Sequence, residues 1–513
     1  MKLGERTVHN AVFNAASSVA PLVLSLVFWP YILGKLGDAS YGVFALVGTV
    51  IGYFALLDLG LGNAVVKYVA EYAGQQDTRK VNDVIGTAQT IFLVLGFAGL
   101  LMILALAWPL ATVIMKVPPE LKIMAFRCFC AASLGFFFTM LLTLYNAVIN
   151  GMNRYDLTSV VNAVMGAVTT IGAFLLLYAG FDLFAVVLLN VVIPLLTVVA
   201  CQTLIRRHFA GVRLRPAWDR GAVKKVVHYG MYALLSRVTD VIVRQVDILI
   251  IGALLGVSAV TYYVIPFTVL NRMTALIGRI GMVVFPAVSE LQGQLQKEKI
   301  DELYVTATRV IFILASAFCV PLFIFGTRFL TLWMSPEFAA KGSIAMHLIT
   351  IAVYTDLCTN VPTFVTDGLG KPQVTGISAI THAVIFLGLT IPMALALGIN
   401  GVAGAFALSA ILVAPFYISY VNRKVVRIST GSLLRAAYLR PALAAAATAL
   451  VLYFIPQQKV NNIFLLLALM GAGSGVYLGV ALGLGAFGEH ETRVLREYAD
   501  RLWRKFRGEK LKS

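Results

Sequence analysis

The segment Asn150-Gly-Met-Asn-Arg-Tyr-Asp-Leu-Thr158 aligns without gaps with Asp367-Gly-Leu-Gly-Lys-Pro-Gln-Val-Thr375 in the second half of the chain. A second alignment places Glu71 to Asp83 on Glu290 to Glu302, at nearly the same separation along the sequence. Self-similarity at a fixed spacing is the sequence signature of a repeated architecture. The two agreeing shifts therefore predict that the first part of the chain is repeated in the second.

The composition is that of a membrane protein. Of the 513 residues, 59% are hydrophobic and only 13% are charged, and the mean hydropathy is +0.86. The apolar residues form runs of the length that crosses a hydrocarbon core of roughly 30 Å as a helix. We therefore predict an all-α membrane protein with about fourteen transmembrane helices. The predicted spans are Val8–Leu33, Tyr41–Tyr68, Val84–Ile114, Ile123–Ile149, Ser159–Ala179, Leu183–Leu204, Tyr229–Leu254, Ala259–Val288, Tyr304–Phe325, Ile344–Val365, Val374–Leu397, Val402–Tyr420, Pro441–Ile455 and Phe464–Leu484.

The repeat divides these spans into domains. Spans one to six correspond to spans seven to twelve, and an even number of helices per copy means that both copies enter the membrane from the same side. The halves are then expected to be related by an axis along the membrane normal, with the substrate path between them. The predicted domains are an N-terminal six-helix bundle (1–205), a basic cytoplasmic linker (206–228), a C-terminal six-helix bundle (229–422), an extra helix pair (436–485) and a basic amphipathic tail (486–513).

Basic residues predict the orientation of the chain, because Lys and Arg in short loops are retained on the cytoplasmic side. One side of the predicted topology, which includes both termini, carries 27 basic residues, and the other side carries six. Both termini are therefore expected in the cytoplasm. The formal net charge of +17 is explained by this topology, so no nucleic-acid partner is expected. The basic tail, with Leu495, Tyr498, Leu502 and Phe506 on one helical face, is expected to lie on membrane lipids.

Motifs for enzyme chemistry are not found in the sequence. The five cysteines lie in apolar runs, and none has the spacing of a metal ligand or of a disulfide framework. Nucleophile–base constellations and phosphate-cradling glycine loops do not occur. The sequence therefore predicts neither an enzyme nor an ATP-driven pump, and neither a metal nor an organic cofactor.

Two predicted spans carry charges at bilayer depth. In span seven four charged residues recur at helical spacing and share one stripe: Arg237, Asp240, Arg244 and Asp247. Span eight places Arg272 and Arg279 on one face, with Asn271 beside them. Each such charge costs at least ~2.5 kcal/mol in the membrane, so both faces are expected to line protein or a water-filled cavity.

These charges have two interpretations. Arg237 with Asp240, and Arg244 with Asp247, can neutralise each other and merely hold helices together. Span eight, however, supplies two arginines without a carboxylate of its own, and the planar guanidinium group suits phosphate oxygens. We therefore predict that the four arginines bind an anionic phosphorylated headgroup.

Carboxylates at mid-depth would favour a cation antiporter instead. Asp58 precedes Gly60 and Gly62, which can open the helix, so it is either a cation or proton site or the cap of a loosened turn. Asp356 in span ten is the other candidate. His347 and His382 are single histidines without an arranged partner, and we expect both to be structural.

Motifs in both halves resemble the Wzx-type polysaccharide and O-antigen unit flippases, which belong to the multidrug/oligosaccharidyl-lipid/polysaccharide exporter superfamily. In the first half they are Tyr31-Ile-Leu-Gly-Lys-Leu-Gly37, Tyr41-Gly42 and Leu57-Asp-Leu-Gly-Leu-Gly-Asn-Ala-Val-Val-Lys67. In the second half they are Val246-Asp-Ile-Leu-Ile-Ile-Gly252, Leu254-Leu-Gly256 and Tyr262-Tyr263. The resemblance covers about Thr7 to Val426.

The resemblance implies two six-helix bundles that form a V, a cationic central cavity, and export of undecaprenyl-pyrophosphate-linked oligosaccharide across the inner membrane by alternating access. Asp247 and Asp58 match aspartates of the family in spans seven and two. Related lipid II flippases carry arginines in their first span, and Val8–Leu33 has none. Spans thirteen and fourteen are shared with those same flippases. The helix count therefore favours a lipid II flippase, whereas the charge placement argues against one.

The expected function is therefore a flippase for a polysaccharide repeat unit in the cell inner membrane. Coupling to the membrane potential, H+ or Na+ is expected, and a polysaccharide polymerase is a candidate partner. Three alternatives stay open at this point: a multidrug or cation antiporter of the same superfamily, a lipid II flippase, and a membrane-embedded polysaccharide polymerase or ligase.

Overall fold

The computed structural model describes residues 27–58, 60–209, 211–224 and 245–488, and all regular secondary structure in these segments is helical. The first eight helices are α1 (27–36), α2 (Asp38–Phe54, continued by a 3-10 turn at Ala55–Asp58), α3 (Leu61–Gly74), α4 (Thr78–Pro109, continued by a π-helical turn at Leu110–Ile114), α5 (Lys122–Gly151), α6 (Tyr155–Tyr178), α7 (Leu183–His208) and α8 (Gln245–Leu254). The next eight are α9 (Val257–Gly281), α10 (Val284–Gly293), α11 (Lys297–Trp333), α12 (Pro336–Gly368), α13 (Pro372–Leu397), α14 (Ile399–Tyr420, continued by a π-helical turn at Val421–Val426), α15 (Thr430–Tyr453) and α16 (Ile463–Gly483).

Eleven helices of the described segments are long and apolar enough to cross a membrane, and they coincide with eleven of the predicted spans. The prediction of an all-α, multi-pass membrane protein is therefore confirmed. The number fourteen stays a prediction. Spans one and seven lie largely outside the described residues, and α9, at the place of span eight, carries Asn271, Arg272 and Arg279, which lower its hydropathy.

Polar side chains at the loops determine where several helices begin. Asp77 accepts a hydrogen bond from the backbone N–H of Lys80 at 3.0 Å at the start of α4, and Ser335 accepts one from Phe338 at 3.0 Å at the start of α12. Such side-chain caps satisfy backbone donors that have no partner within the helix. The helix ends therefore follow the turn residues of the sequence more closely than the edges of the apolar runs.

The repeat is visible in the backbone. Ten of the twelve described residues with positive φ form five pairs at nearly the same separation along the chain: Gly37 and Gly256, Gln76 and Leu295, Asn153 and Gly370, Gly180 and Gly398, Gly211 and Arg427. The hydroxyl of Thr158 donates to Asn150 Oδ1 at 2.7 Å, and the matching Thr375 donates to Asp367 Oδ1 at 2.8 Å. Equivalent turns and equivalent hydrogen bonds at the predicted shifts confirm the repeat.

A break in the second helix of each copy follows the same pattern. Gly60, with φ 69°, separates the 3-10 turn after α2 from α3, and a two-residue turn separates α9 from α10. The two predicted spans, Tyr41–Tyr68 and Ala259–Val288, are each interrupted in this way. Broken helices expose backbone groups, and membrane transporters use them at functional sites.

The chain forms two compact units, and the first comprises Met1–Ile265 and Thr390–Val402. Its core lies around α5, which packs against α3, α4 and α7. Phe92, Phe136 and Tyr145 are almost fully buried there. The predicted domain boundaries at 205, 228 and 422 follow the repeat rather than these compact units, and they stay a prediction.

The second unit comprises Pro266–Leu389 and Ala403–Ser513, and α11 is its central helix. α12, α15 and α16 pack against α11. Ser474 of α16 donates a hydrogen bond to the carbonyl oxygen of Ala317 in α11 at 2.7 Å. At the other end of the pair, Arg328 donates to the carbonyl oxygen of Val460 at 2.8 Å and to Asn461 Oδ1 at 2.8 Å. The extra helix pair is thus attached to α11 along its length.

Candidate functional site

The four predicted arginines are described to different extents. Arg237 and Arg244, together with Asp240, lie outside the described residues. Arg272 and Asn271 are half-buried on α9, and for Arg279 the structure describes the backbone alone. Because α9 is a continuous helix from Val257 to Gly281, residues 272 and 279 lie on the same stripe, two helical turns apart. Their role in binding stays a prediction.

The end of α9 that carries Arg279 packs tightly against α12. A side chain at Gly281 would clash with Asn360 Oδ1 and lie 3.0 Å from the ring of Phe364, so the side chains of α12 would have to shift to accommodate it. The amide oxygen of Asn360 is buried and has no hydrogen-bond partner within the described structure. The polar stripe of α9 therefore ends, at position 279, within one helical turn of the place where Gly281 meets Asn360 of α12.

Asp247 is brought together with Tyr263. The Asp247 side chain is almost fully buried in α8, and its Oδ2 accepts a hydrogen bond of 2.5 Å from the hydroxyl of Tyr263 in α9. Oδ1 accepts one from the backbone N–H of Ile248 at 2.8 Å. A buried carboxylate is tolerated only when hydrogen bonds or an opposite charge compensate its lost hydration. Tyr263 supplies part of that compensation.

α2 completes the surroundings of Asp247. Tyr53 is within electrostatic reach of the Asp247 carboxylate, and its buried hydroxyl has no hydrogen-bond partner in the described structure. A side chain at Gly52 would lie 2.5 Å from Gln245 Oε1, so the end of the Gln245 side chain occupies the space beside this glycine. α2, α8 and α9 thus enclose a small buried polar cluster of Tyr53, Gln245, Asp247 and Tyr263, all within the first compact unit.

Sequence reasoning does not find most of this cluster. Tyr263 belongs to one of the sequence motifs, but no pattern pairs it with Asp247. The two residues lie on either side of a turn between helices, and a helical periodicity cannot connect residues across such a turn. Tyr53 gives no signal because it is a single polar residue in an apolar run, and Gln245, beside the charged stripe of span seven, does not share the helical spacing of that stripe.

Asp58 lies at the break between α2 and α3. It is buried, and its Oδ1 accepts a hydrogen bond of 2.6 Å from the backbone N–H of Gly60. This is the local turn that a short polar side chain makes with the backbone two residues on. Of the two roles left open by the sequence, the contact supports the capping role.

The two histidines and Asp356 lie in the second unit. His347 Nδ1 is 2.6 Å from the carbonyl oxygen of Ser343, and His382 Nε2 is 3.1 Å from Ser409 Oγ. Both contacts agree with structural roles for the two histidines, the first within α12 and the second between α13 and α14. Asp356 is half-buried in α12.

The starts of α2 and α9 meet in a contact that the sequence did not predict, which we call the α2–α9 contact (Asp38, Gly42, Val257, Thr261 and Tyr262). Thr261 donates a hydrogen bond to the carbonyl oxygen of Asp38 at 2.7 Å, and the hydroxyl of Tyr262 donates to Asp38 Oδ2. A side chain at Gly42 would clash with the carbonyl group of Val257. In the register that pairs the turns before the two helices, Val257 corresponds to Asp38 and Thr261 to Gly42. The contact is therefore reciprocal between equivalent positions of the repeat.

Lys116 strengthens the same region of the first unit. Its Nζ donates to the carbonyl oxygen of Leu254 at 2.6 Å. Its backbone N–H donates to the carbonyl oxygen of Gly252 at 3.1 Å. The loop after α4 is thereby attached to the end of α8. The predicted topology places all of these residues at the outer ends of their helices.

Comparisons with known proteins agree with this architecture. Residues 36–340 match the profile of a family described as "Polysaccharide biosynthesis protein". A Shigella flexneri protein named "Putative O-antigen transporter" is 19% identical over 415 residues, which are 79% of this chain and 95% of that protein. The solved structure "Lipid II flippase MurJ, inward closed conformation" has a TM-score of 0.66 at 14% identity and covers 93% of this chain and 96% of its own.

A multidrug transporter has a similar fold. The structure described as "Inward-facing conformation of a multidrug resistance MATE family transporter of the MOP superfamily" has a TM-score of 0.65 at 15% identity and covers 81% of this chain and 99% of its own. The chain thus shares the fold of these two membrane transporters. Because the profile covers more than half of its length, the chain belongs to the polysaccharide biosynthesis protein family. The resemblance inferred from the sequence motifs is confirmed.

Proposed function

We propose that this protein is a flippase that moves an undecaprenyl-pyrophosphate-linked oligosaccharide outward across the inner membrane by alternating access. The observation that carries the proposal is the placement of Arg272 and Arg279 on one face of α9 in a fold shared with a lipid II flippase. Membership in a polysaccharide biosynthesis family and similarity to a protein named as an O-antigen transporter support the class of cargo.

In this proposal Arg237, Arg244, Arg272 and Arg279 bind the pyrophosphate. Asp240 and Asp247 hold the empty site together, and Asn271 and Asp58 contribute to the substrate path or its gating. Guanidinium groups bind phosphate oxygens through paired charge-assisted hydrogen bonds. The α2–α9 contact closes the outer end of its helices while the cargo enters from the cytoplasm.

The membrane potential supplies part of the driving force in this proposal. A headgroup of about two negative charges that moves outward, with the cell interior negative, gains roughly 4.6 kcal/mol at 100 mV, since each charge contributes ~2.3 kcal/mol. Coupling to H+ or Na+ is a further proposed source of energy. Neither requires nucleotide hydrolysis.

The test is complementation of a deletion strain. Arg272→Ala and Arg279→Ala should each reduce surface polysaccharide about tenfold or more, because each removes charge-assisted hydrogen bonds to the cargo. Lys371→Ala is the matched control, since it removes an exposed basic residue from a turn between α12 and α13. Protein level and membrane insertion are measured by immunoblot in all strains.

Two outcomes would contradict the proposal. Normal export by both arginine variants would remove the proposed binding site. Intact surface polysaccharide in the deletion strain, together with raised sensitivity to cationic dyes, would instead identify a multidrug antiporter. A polymerase or ligase is less well supported, since the turn between α11 and α12 on the predicted outer side comprises only Met334 and Ser335.

A further inference from the structure

A cavity of about 730 Å³ lies in the second unit, where α11, the start of α15 and the chain beyond α16 meet. Its polar and aromatic lining includes Arg309, Ser429, Ser432, Arg435, Arg440 and Phe487. No carboxylate is among the described residues that line it. The charged residues of the described lining are three arginines, so this part of the lining is basic.

The arginines converge because the start of α15 is not a regular α-helix. Residues Leu434–Leu439 form a π-helical segment between the turn at Thr430–Leu433 and the regular helix from Arg440. In an α-helix, residues five apart point about 140° away from each other. In a π-helix an i→i+5 hydrogen bond places them above one another, so Arg435 and Arg440 lie on the same side.

Backbone carbonyl groups hold two of these guanidinium groups at the cavity. Arg309 Nε donates to the carbonyl oxygen of Ala436 at 2.9 Å, and Arg440 Nη1 donates to that of Gly485 at 2.8 Å. A guanidinium group has five N–H donors, so one such bond positions Arg440 and leaves capacity for a ligand. The cavity is thus formed by three separate parts of the chain that hydrogen bonds tie together.

Exposed apolar side chains continue from the cavity along α15. Leu439 and Leu443 are 51% and 54% exposed. The predicted topology places the cavity at the cytoplasmic end of the helices and these leucines deeper in the membrane. A basic cavity at the headgroup level above exposed apolar side chains has the chemistry of an anionic lipid site.

We propose that this cavity binds the phosphodiester headgroup of an anionic phospholipid of the inner leaflet, with an acyl chain along α15. This lipid is a resident ligand, distinct from the transported cargo. Arg309 and Arg440 hold the cytoplasmic end of the extra helix pair by hydrogen bonds. The bound lipid would connect this end to the surrounding membrane.

The test compares lipid binding by the purified full chain and two double variants. Native mass spectrometry measures binding of cardiolipin, phosphatidylglycerol and phosphatidylcholine. The Arg435→Ala/Arg440→Ala variant should bind the two anionic lipids about tenfold or more weakly, since each basic residue near the headgroup contributes about 1 kcal/mol. The Arg423→Ala/Lys424→Ala control removes two exposed cations that do not line the cavity and should bind like the unmodified protein.

A second measurement separates folding from binding. The rise in unfolding temperature on addition of cardiolipin should be smaller for Arg435→Gln, a single change at an exposed side chain, than for the unmodified protein. Equal binding of anionic lipid by all variants would overturn the proposal. Stabilisation by inorganic phosphate or pyrophosphate, without a preference for anionic over zwitterionic lipid, would overturn the assignment to a lipid.

Discussion

At the scale of single residues, Asp247 shows how the protein keeps a carboxylate within an apolar helix. Its described hydrogen bonds come from the Tyr263 hydroxyl and the Ile248 backbone, and Tyr53 lies near it with a hydroxyl that has no hydrogen-bond partner in the described structure. The two tyrosines therefore differ in one respect that can be tested. Tyr263 compensates the buried charge by a hydrogen bond, and Tyr53 does not.

We expect Tyr263→Phe to destabilise the protein and Tyr53→Phe to have a smaller effect. A double-mutant cycle of Tyr263→Phe with Asp247→Asn should give a coupling free energy of about 0.5–2 kcal/mol, the range of hydrogen bonds between helices in membranes. Reversible unfolding of the purified protein in detergent measures it. The same cycle with Tyr53→Phe is the control, and a coupling near zero for Tyr263 would mean that the hydrogen bond does not stabilise Asp247.

Residues also show which parts of the site the sequence could predict. Arg272 and Arg279 stand out without knowledge of their neighbours, because arginine is rare in membrane spans. Tyr263 and Gly42 act through residues on other helices. Their partners depend on which helices are adjacent, and hydropathy does not determine that. A periodic pattern defines the face of a helix but not what that face meets.

At the scale of helices, the α2–α9 contact depends on a glycine. A Cβ at Gly42 would clash with backbone atoms of Val257, which cannot move away as a flexible side chain can. Gly48 is in the same helix, and an added Cβ there meets no atom within 4 Å. The two glycines therefore form a matched pair, one at the contact and one away from it.

Gly42→Ala should shift the protein toward the state in which the outer ends of α2 and α9 are apart. Overpacking by one methyl group costs ~1–3 kcal/mol, which corresponds to a roughly fivefold or larger change in the equilibrium. The measurement is the rate at which a membrane-impermeant thiol reagent labels Thr261→Cys from outside. Gly48→Ala should leave the rate unchanged, and equal rates in all three backgrounds would show that this contact does not close the outer end.

Helices are the most predictable level of the structure. The eleven apolar helices coincide with predicted spans because burial in lipid requires both length and hydrophobicity. The breaks after α2 and α9 are less accessible to prediction. Asp58 and Gly60 mark the first break, and Pro286 in the first turn of α10 follows the second, but the packing of Gly281 against Asn360 is visible only in three dimensions.

At the scale of the whole molecule, the repeat predicts on which side of the membrane equivalent turns lie. Its nearly constant shift pairs the left-handed turns of the two copies in the same order, and the helices between them correspond one to one. Six helices per copy should place equivalent turns on the same side of the membrane. Inverted repeats, which other transporters use, would place them on opposite sides.

Substituted cysteines at equivalent exposed positions can distinguish these arrangements. Gln75 and Gln294 are equivalent in the repeat and precede α4 and α11, where the predicted side is cytoplasmic. Ala179 and Leu397 form a second equivalent pair, at turns predicted to lie outside. In spheroplasts, a membrane-impermeant thiol reagent should label Ala179→Cys and Leu397→Cys, and it should label Gln75→Cys and Gln294→Cys only after the membrane is permeabilised.

Each pair of cysteines supplies its own control. The chain with its five native cysteines sets the background labelling, and permeabilised membranes show that every introduced thiol can react. Labelling of one member of a pair from outside, and of the other only from inside, would contradict the parallel repeat. Labelling of both glutamine positions from outside would instead reverse the predicted orientation, and the α2–α9 contact would then lie at the cytoplasmic end of its helices. Because an interior-negative potential drives an anionic cargo outward in either orientation, the experiment tests which end the α2–α9 contact closes and is independent of the proposed energetics.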